Sequence, residues 1–223
     1  MPEGRAIRGG GAPPVRRENT PSEPGDAGRG ELQILAEQVH WENEAARLLL
    51  STVRLPGREG KTKDQFRLTP GAKHDDGVVI VPIDERDRII LVRQFRHPVR
   101  MWLRELPRGS REKGETPEEG ARREVKEELG LEVTESWPLG RIATDSGQQR
   151  GIPFLIAARV RKGGETDPDD SESIDASFAY TFSELARACA SGEILDSFTV
   201  AAVTRLLPHF DGERFEYKPG VVR

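Results

Sequence analysis

Glu115, Arg123, Glu124, Glu127 and Glu128 fall within one short stretch, residues 109–131, GSREKGETPEEGARREVKEELGL. Carboxylate oxygens are hard ligands suited to Mg²⁺, and a guanidinium can hold several of them at once. Their placement depends on a helix whose start is well specified. Thr116 is its N-cap, Pro117 fits the first turn, and Glu119 completes a capping box. Gly130 is placed to end it in the left-handed conformation. At about 100° per residue, Glu128 lies about 40° to one side of Glu124 and Glu127 about 60° to the other. Arg123 sits at the edge of that arc, and Ala121, Val125 and Leu129 form the apolar stripe beside it. Like charges four residues apart destabilise a helix by a few tenths of a kcal/mol. Two readings fit the helix alone: a solvated acidic face softened by Arg122, Arg123 and Lys126, or a hard-cation site.

The residues before the helix bear on that choice. Leu106-Pro107-Arg108-Gly109 ends a strand, Gly109 permits a tight turn, and Lys113-Gly114-Glu115 leads into the cap. A strand, a glycine loop and a carboxylate helix together make a compact pocket for metal and phosphate.

Gly109, Glu115, Arg123, Glu124, Val125, Glu127, Glu128, Gly130 and Leu131 match every specified position of the Nudix box, so the chain resembles the Nudix hydrolases. The resemblance implies hydrolysis of a nucleoside diphosphate linked to another group, with Mg²⁺, or Mn²⁺ in its place, as cofactor. It implies Glu124 and Glu128 as metal ligands, with Glu127 assisting and the main-chain carbonyl of Arg108 as a further ligand. Glu115 becomes an outer metal contact, and Arg123 the residue that holds the cluster or loop. Flanking segments resemble the ADP-ribose pyrophosphatase branch: Val53-Arg54-Leu55-Pro56, Gly77 to Ile83, Leu91 to Pro98 and Glu105-Leu106-Pro107. On that resemblance Arg96, Glu105 and Gly109 contribute to the substrate cleft. Asp169 to Ile174 resembles an acidic loop supplying a catalytic base or metal ligand, with Asp170 and Glu172 as candidates. For ADP-ribose the products are AMP and ribose 5-phosphate. One stretch departs from the pattern: Asp145 to Gly151 has Ser146 where the branch commonly has Pro, and Gly151 where it has Glu. Another nucleotide sugar is therefore an alternative substrate. A nucleotide-binding regulator and a nucleoside triphosphate hydrolase are the alternative functions, and a homodimer with crossing N-terminal strands is the expected assembly.

The positioning elements are read from periodicity and turns. Strands are expected at Gly77–Ile83, Arg88–Phe95, Trp102–Leu106, Trp137–Ala143, Ile152–Val160 and Ser173–Phe182. Helices are expected at Thr116–Leu129, Ser183–Ser191 and Ser197–Leu207. Leu32 to Pro56 and Asp64 to Leu68 suit a small antiparallel sheet, with Ala45–Leu50 as an alternative short helix. The class is α+β, and the resemblance implies an α/β/α sandwich with a mixed central sheet. The expected division is a tail at 1–30, an N-terminal strand subdomain at 31–72 suited to dimerisation, the catalytic domain at 73–210 and a C-terminal tail at 211–223.

Composition narrows the setting. A formal charge of −4 over 223 residues gives no global attraction to nucleic acid or an anionic membrane. No apolar run approaches the ~18 residues that span a bilayer. Cys189 is the only cysteine, so no intrachain disulfide forms, and a cytoplasmic address is expected. Cys189 itself suits a packed thiol better than a nucleophile.

Overall fold

The computed structural model describes residues 25–26, 29–58, 60–143, 145–163 and 174–221. The described residues divide into two compact units, those up to 38 with those of 50–65, and 39–49 with those from 66 on.

Strands β1 (Gln33–Glu42), β2 (Ala46–Arg54) and β3 (Thr62–Pro70) form a three-stranded sheet in that order. The Asn43 side chain accepts the Ala45 and Ala46 amides at 2.9 and 2.8 Å, turning the chain between β1 and β2. That turn and the ladders on both sides of β2 make residues 46–50 strand, against the helical alternative. In the first unit, Ser51 and Thr52 tie strands together through Glu37 (2.7 Å) and Asp64 (2.8 Å).

The second unit is built on a mixed seven-stranded sheet. Its strands are β4 (His74–Ile83), β5 (Ile89–Arg96), β6 (Met101–Glu105), β7 (Arg108–Glu112), β8 (Leu131–Arg141), β9 (Phe154–Lys162) and β10 (Ile174–Tyr180). The order is β10-β5-β4-β9-β8, with β6 on β5 and β7 on β4. β4 and β9 run parallel, and the other ladders are antiparallel. The second half of β4, Val78 to Ile83, reads as an unbroken apolar run because both its faces are buried. Val78 and Ile80 pack with Ile156, Ala158 and Val160 beneath Ala121 and Val125 of helix α1 (Pro117–Leu129). Val79, Val81 and Ile83 face Leu185 and Ala188 of α2 (Phe182–Ser191) and Ala202 and Leu206 of α3 (Ser197–Leu206). Helices on both faces of one sheet make the α/β/α sandwich. Each fully buried aliphatic side chain contributes about 1.5–3 kcal/mol to holding the layers.

β4 and β5 meet only at Ile83 and Ile89. Asp84 closes their turn, accepting the Arg86 and Arg88 amides at 2.9 Å each, while Asp87 takes a left-handed φ of 59°. The strands then separate, β4 pairing with β7 and β5 with β6. The link between β6 and β7 is anchored twice: Ile80 N–H donates to Pro107 at 2.9 Å, and Leu106 N–H to the buried Thr199 hydroxyl at 3.0 Å.

Two elements differ from the sequence reading. β8 starts at Leu131, directly after Gly130, six residues before the expected Trp137. Its first half is polar because β8 is an edge strand, tied to β9 by Glu132 and Arg161 at 2.9 Å. β7 has the sequence RGSRE, with no apolar residue to announce it, and exists through its ladder with β4. After α3, a short turn (Leu207–His209) leads to a hairpin of β11 (Phe210–Asp211) and β12 (Arg214–Phe215). Phe215 is buried beside Trp137, on which Tyr217 also stacks with centroids 5.7 Å apart.

Candidate active site

The loop–helix unit forms as the sequence specifies. Thr116 Oγ1 accepts the Glu119 amide at 3.2 Å, and the Glu119 carboxylate accepts the Thr116 amide at 2.8 Å. Gly130 has φ 63° and donates to Lys126 O at 3.0 Å. Glu124 and Glu128 lie one turn apart and are 6 % and 5 % exposed, so α1 buries two of its carboxylates beside its apolar stripe.

Gly109 makes room for the first of them. A Cβ at residue 109 would run into the Glu124 carboxylate, so only glycine leaves that carboxylate its place. Gly77, across the ladder, is glycine for a related reason: a Cβ there would lie 2.6 Å from Gly109 O. Gly120 is a third case. It sits inside α1, where glycine costs about 0.5–1 kcal/mol relative to alanine, and a Cβ there would stand 3.0 Å from Arg111 Cγ and 3.2 Å from Glu115 Oε2.

Arg123 joins the acidic groups. Its Nη1 donates to Glu124 Oε1 at 2.8 Å and to Glu127 Oε2 at 2.9 Å. Its Nε and Nη2 donate to the two Glu115 oxygens at 3.1 and 3.2 Å, and Nη2 also reaches Ser110 O at 2.8 Å. Burial works against charge on Arg123, but the hydrogen bonds and charges of Glu115 and Glu124 outweigh it and hold its pKa above the ordinary value. Burial likewise opposes ionisation of Glu115, yet the Arg123 and Glu112 hydrogen bonds keep its carboxyl below the usual range. Arg122 turns away to Val133 O at 2.5 Å. Glu128 lies on the other side of the cluster and accepts the Arg108 amide at 3.3 Å, which brings the main chain of residue 108 to the carboxylate.

A second charged chain runs behind the loop. Glu105 is fully buried, with Arg96 Nε donating to its Oε1 at 2.8 Å and Arg108 Nη2 to its Oε2 at 3.3 Å. Burial pushes the Glu105 carboxyl up despite both arginines. Arg108 also reaches Asp196 Oδ1 at 2.6 Å and covers the Phe198 ring at 4.7 Å. Asp196 caps α3 by accepting the Thr199 amide at 2.8 Å. Glu105 thus meets Arg96 and Arg108 rather than open solvent.

The structure brings Glu115, Arg123, Glu124 and Glu127 into one cluster, with Glu128, Arg108 and Gly109 bordering it. Arg96 and Glu105 form the adjoining pair. Asp170 and Glu172 lie outside the described residues. The departing segment folds on Asp145, whose carbonyl accepts the Gln148 and Gln149 amides at 3.2 and 2.8 Å. It is held to β3 by Leu68 N–H to Gln148 O at 2.8 Å and Arg150 N–H to Leu68 O at 2.9 Å. Where a side chain on Gly151 would begin, the Asp76 carboxylate stands 3.8 Å away. Sequence reasoning did not single out Asp76, Asp196, Arg111 or the Arg108 side chain. Gly120 was the available signal for Arg111, as a glycine inside an otherwise strong helix.

The donor set suits a hard divalent cation. Among the described residues no three such side chains already converge as a finished metal cage. Three carboxylates, Glu115, Glu124 and Glu127, nevertheless converge on the Arg123 guanidinium, and Glu128 is buried one turn from Glu124 on the same helix. That excess of negative charge at oxygen donors is what Mg²⁺ or Mn²⁺ complements.

Comparison with known proteins identifies the family. Residues 73–198, more than half the chain, match the NUDIX domain family model. A methanol dehydrogenase activator from Bacillus methanolicus is 30 % identical over 178 residues, covering 79 % of this chain and 92 % of the relative. An ADP-ribose pyrophosphatase from Bacillus subtilis is 25 % identical over 180 residues, with the same coverage, 79 % and 92 %. A crystal structure described as an ADP compounds hydrolase superposes with a TM-score of 0.67 over 79 % of this chain and 92 % of its own. At 17 % identity that likeness speaks for the fold alone. The chain therefore belongs to the Nudix family, in its ADP-ribose pyrophosphatase branch, and is a hydrolase of phosphoanhydride bonds.

Proposed function

We propose that this protein is a Mg²⁺-dependent pyrophosphohydrolase of ADP-ribose or a related nucleoside diphosphate sugar. The observation that carries this reading is the acidic helix, with Glu124 buried against Gly109 and Glu128 buried one turn further on. Glu124 and Glu128 would hold the cation, with Glu127, Glu115 and the Arg108 carbonyl as further oxygen donors. When bound, the cation neutralises the diphosphate and lowers the pKa of a water molecule. Arg123 keeps Glu124 and Glu127 oriented by charge-assisted hydrogen bonds. Arg96, aimed by the buried Glu105, is assigned to the substrate phosphates. The proton of the attacking water passes to a carboxylate, for which Asp170 and Glu172 are the candidates.

The pyrophosphatase relatives support ADP-ribose as the first substrate to test, and Ser146 and Gly151 support including other nucleotide sugars. A homodimer belongs to the same reading, and Val39 and Trp41 of β1, each 51 % exposed, offer apolar area for it. So does a cytoplasmic location. No described helix is long and apolar enough to cross a membrane.

The test is a panel of ADP-ribose, other nucleotide sugars and nucleoside triphosphates, incubated with Mg²⁺ or Mn²⁺ and read as phosphate-containing products. AMP and ribose 5-phosphate from ADP-ribose support the reading. Preferential cleavage of triphosphates contradicts the substrate class. Binding without product across the panel favours a nucleotide-binding regulator.

A further inference from the structure

Arg111 takes no part in the chemistry above, yet its side chain is built into the base of the acidic cluster. Arg111 and Gly109 lie on the same face of β7, because side chains alternate along a strand. Arg111 Nε donates to Asp76 O at 2.7 Å, and its Nη1 donates to Glu115 O. Its guanidinium lies 5.1 Å from the centre of the Phe154 ring. Arg141 approaches the same ring at 4.6 Å and pairs with the Asp76 carboxylate. One guanidinium therefore joins β4, β9 and the loop before α1. The aliphatic stem fills the space that Gly120 leaves open in the first turns of the helix.

Glu115 is consequently held at both ends. Arg111 fixes its main chain, while Arg123 and the Glu112 amide fix its carboxylate. Arg123 in turn orients Glu124 and Glu127. The bland alternative is that Arg111 is a stacked surface arginine whose loss would lower stability and nothing else.

We infer that Arg111 is a positioning residue for the cation-binding carboxylates, acting through Glu115 and Arg123 with Gly120 as its steric partner. The inference rests on the proposed function only in taking Glu124 and Glu128 as cation ligands. Groups behind metal ligands typically change metal affinity by 10–100-fold when lost. Lysine cannot replace Arg111, since a single ammonium does not span two carbonyls and a ring face as a planar guanidinium does.

The experiment measures Mn²⁺ affinity by titration with electron paramagnetic resonance, alongside the melting temperature. The proteins are wild type, Arg111→Leu, Arg111→Lys and Gly120→Ala. Arg111→Leu should bind Mn²⁺ about 10–100-fold more weakly, and Arg111→Lys should fall between it and wild type. Gly120→Ala should also weaken Mn²⁺ binding, because its Cβ would press on Arg111 Cγ and Glu115 Oε2. Arg111→Leu binding within twofold of wild type overturns the inference. Should Arg111→Leu lack a cooperative melt, Arg111→Lys and Gly120→Ala decide by the same criterion. A wild type that binds Mn²⁺ but cleaves no nucleotide contradicts the proposed function and leaves this comparison valid. A wild type that binds no Mn²⁺ overturns both.

Discussion

Replacing Gly109 with alanine separates the working of the site from the stability of the fold. The added Cβ would overlap the Glu124 carboxylate and reach no other close neighbour among its nearest contacts. Ordinary contact for such atoms is about 3.5 Å, so the carboxylate must withdraw by about 1 Å or more. The obstructing atoms are the far end of a flexible side chain, so the strand and helix need not move. Displacing the buried carboxylate from the Arg123 guanidinium costs on the order of 1 kcal/mol without loss of the fold. The consequence for turnover is much larger. A misplacement of about 1 Å at a reacting centre costs about 10²-fold, or about 2.7 kcal/mol of transition-state stabilisation. The assay is Mg²⁺-supported hydrolysis of ADP-ribose, with kcat and the Mg²⁺ concentration for half-activation measured separately, and a urea melt of the same protein. A fall in kcat of about 10²-fold with a cooperative urea melt is predicted. Wild-type kcat in Gly109→Ala would refute the reasoning, because Glu124 would then do its work from a displaced position.

Other perturbations address neighbouring parts of the unit. Thr116→Ala removes the hydroxyl that accepts the Glu119 amide, and a loss of about 1 kcal/mol in urea unfolding is expected; an unchanged midpoint would deny the cap its role. Glu115 has its carboxyl below the usual range, so its contribution is fully present above its unfolded pKa and is lost as pH falls through the folded one. Wild type should therefore be more stable than Glu115→Gln at pH 7, and the gap should close as pH drops below about 4.3. A gap that stays constant down to pH 3 would contradict the assigned cause.

Much of this unit is legible from side-chain spacing because it is local. Thr116, Glu119 and Gly130 mark both ends of α1, and the i,i+4 relation of Glu124 and Glu128 follows from helical geometry alone. The strands read most readily are those buried on both faces, such as β4 and β9, whose apolar runs reflect cover by helices above and below. β7 escaped because it carries no apolar face, and the first half of β8 because only Leu131 and Val133 mark its buried side. Backbone ladders formed with residues distant in sequence define them. The same holds for polar groups joined across long separations. Arg108 meets Asp196 over 88 positions and Arg111 meets Asp76 over 35, so nothing in local spacing could pair them. Gly77 and Gly109 could be read as turn residues, but their real constraint is close approach, of backbone to backbone in one case and backbone to carboxylate in the other.

The central claim is that Glu124 and Glu128 are buried together to hold a divalent cation against a diphosphate. The most direct measurement is ³¹P nuclear magnetic resonance of ADP-ribose turnover across a Mg²⁺ titration, for wild type, Glu124→Gln and Glu128→Gln. Wild type should yield AMP and ribose 5-phosphate only with the metal, and each variant should lose about 10³-fold while still melting cooperatively. Undiminished turnover in both variants, at any Mg²⁺ concentration, would contradict the claim.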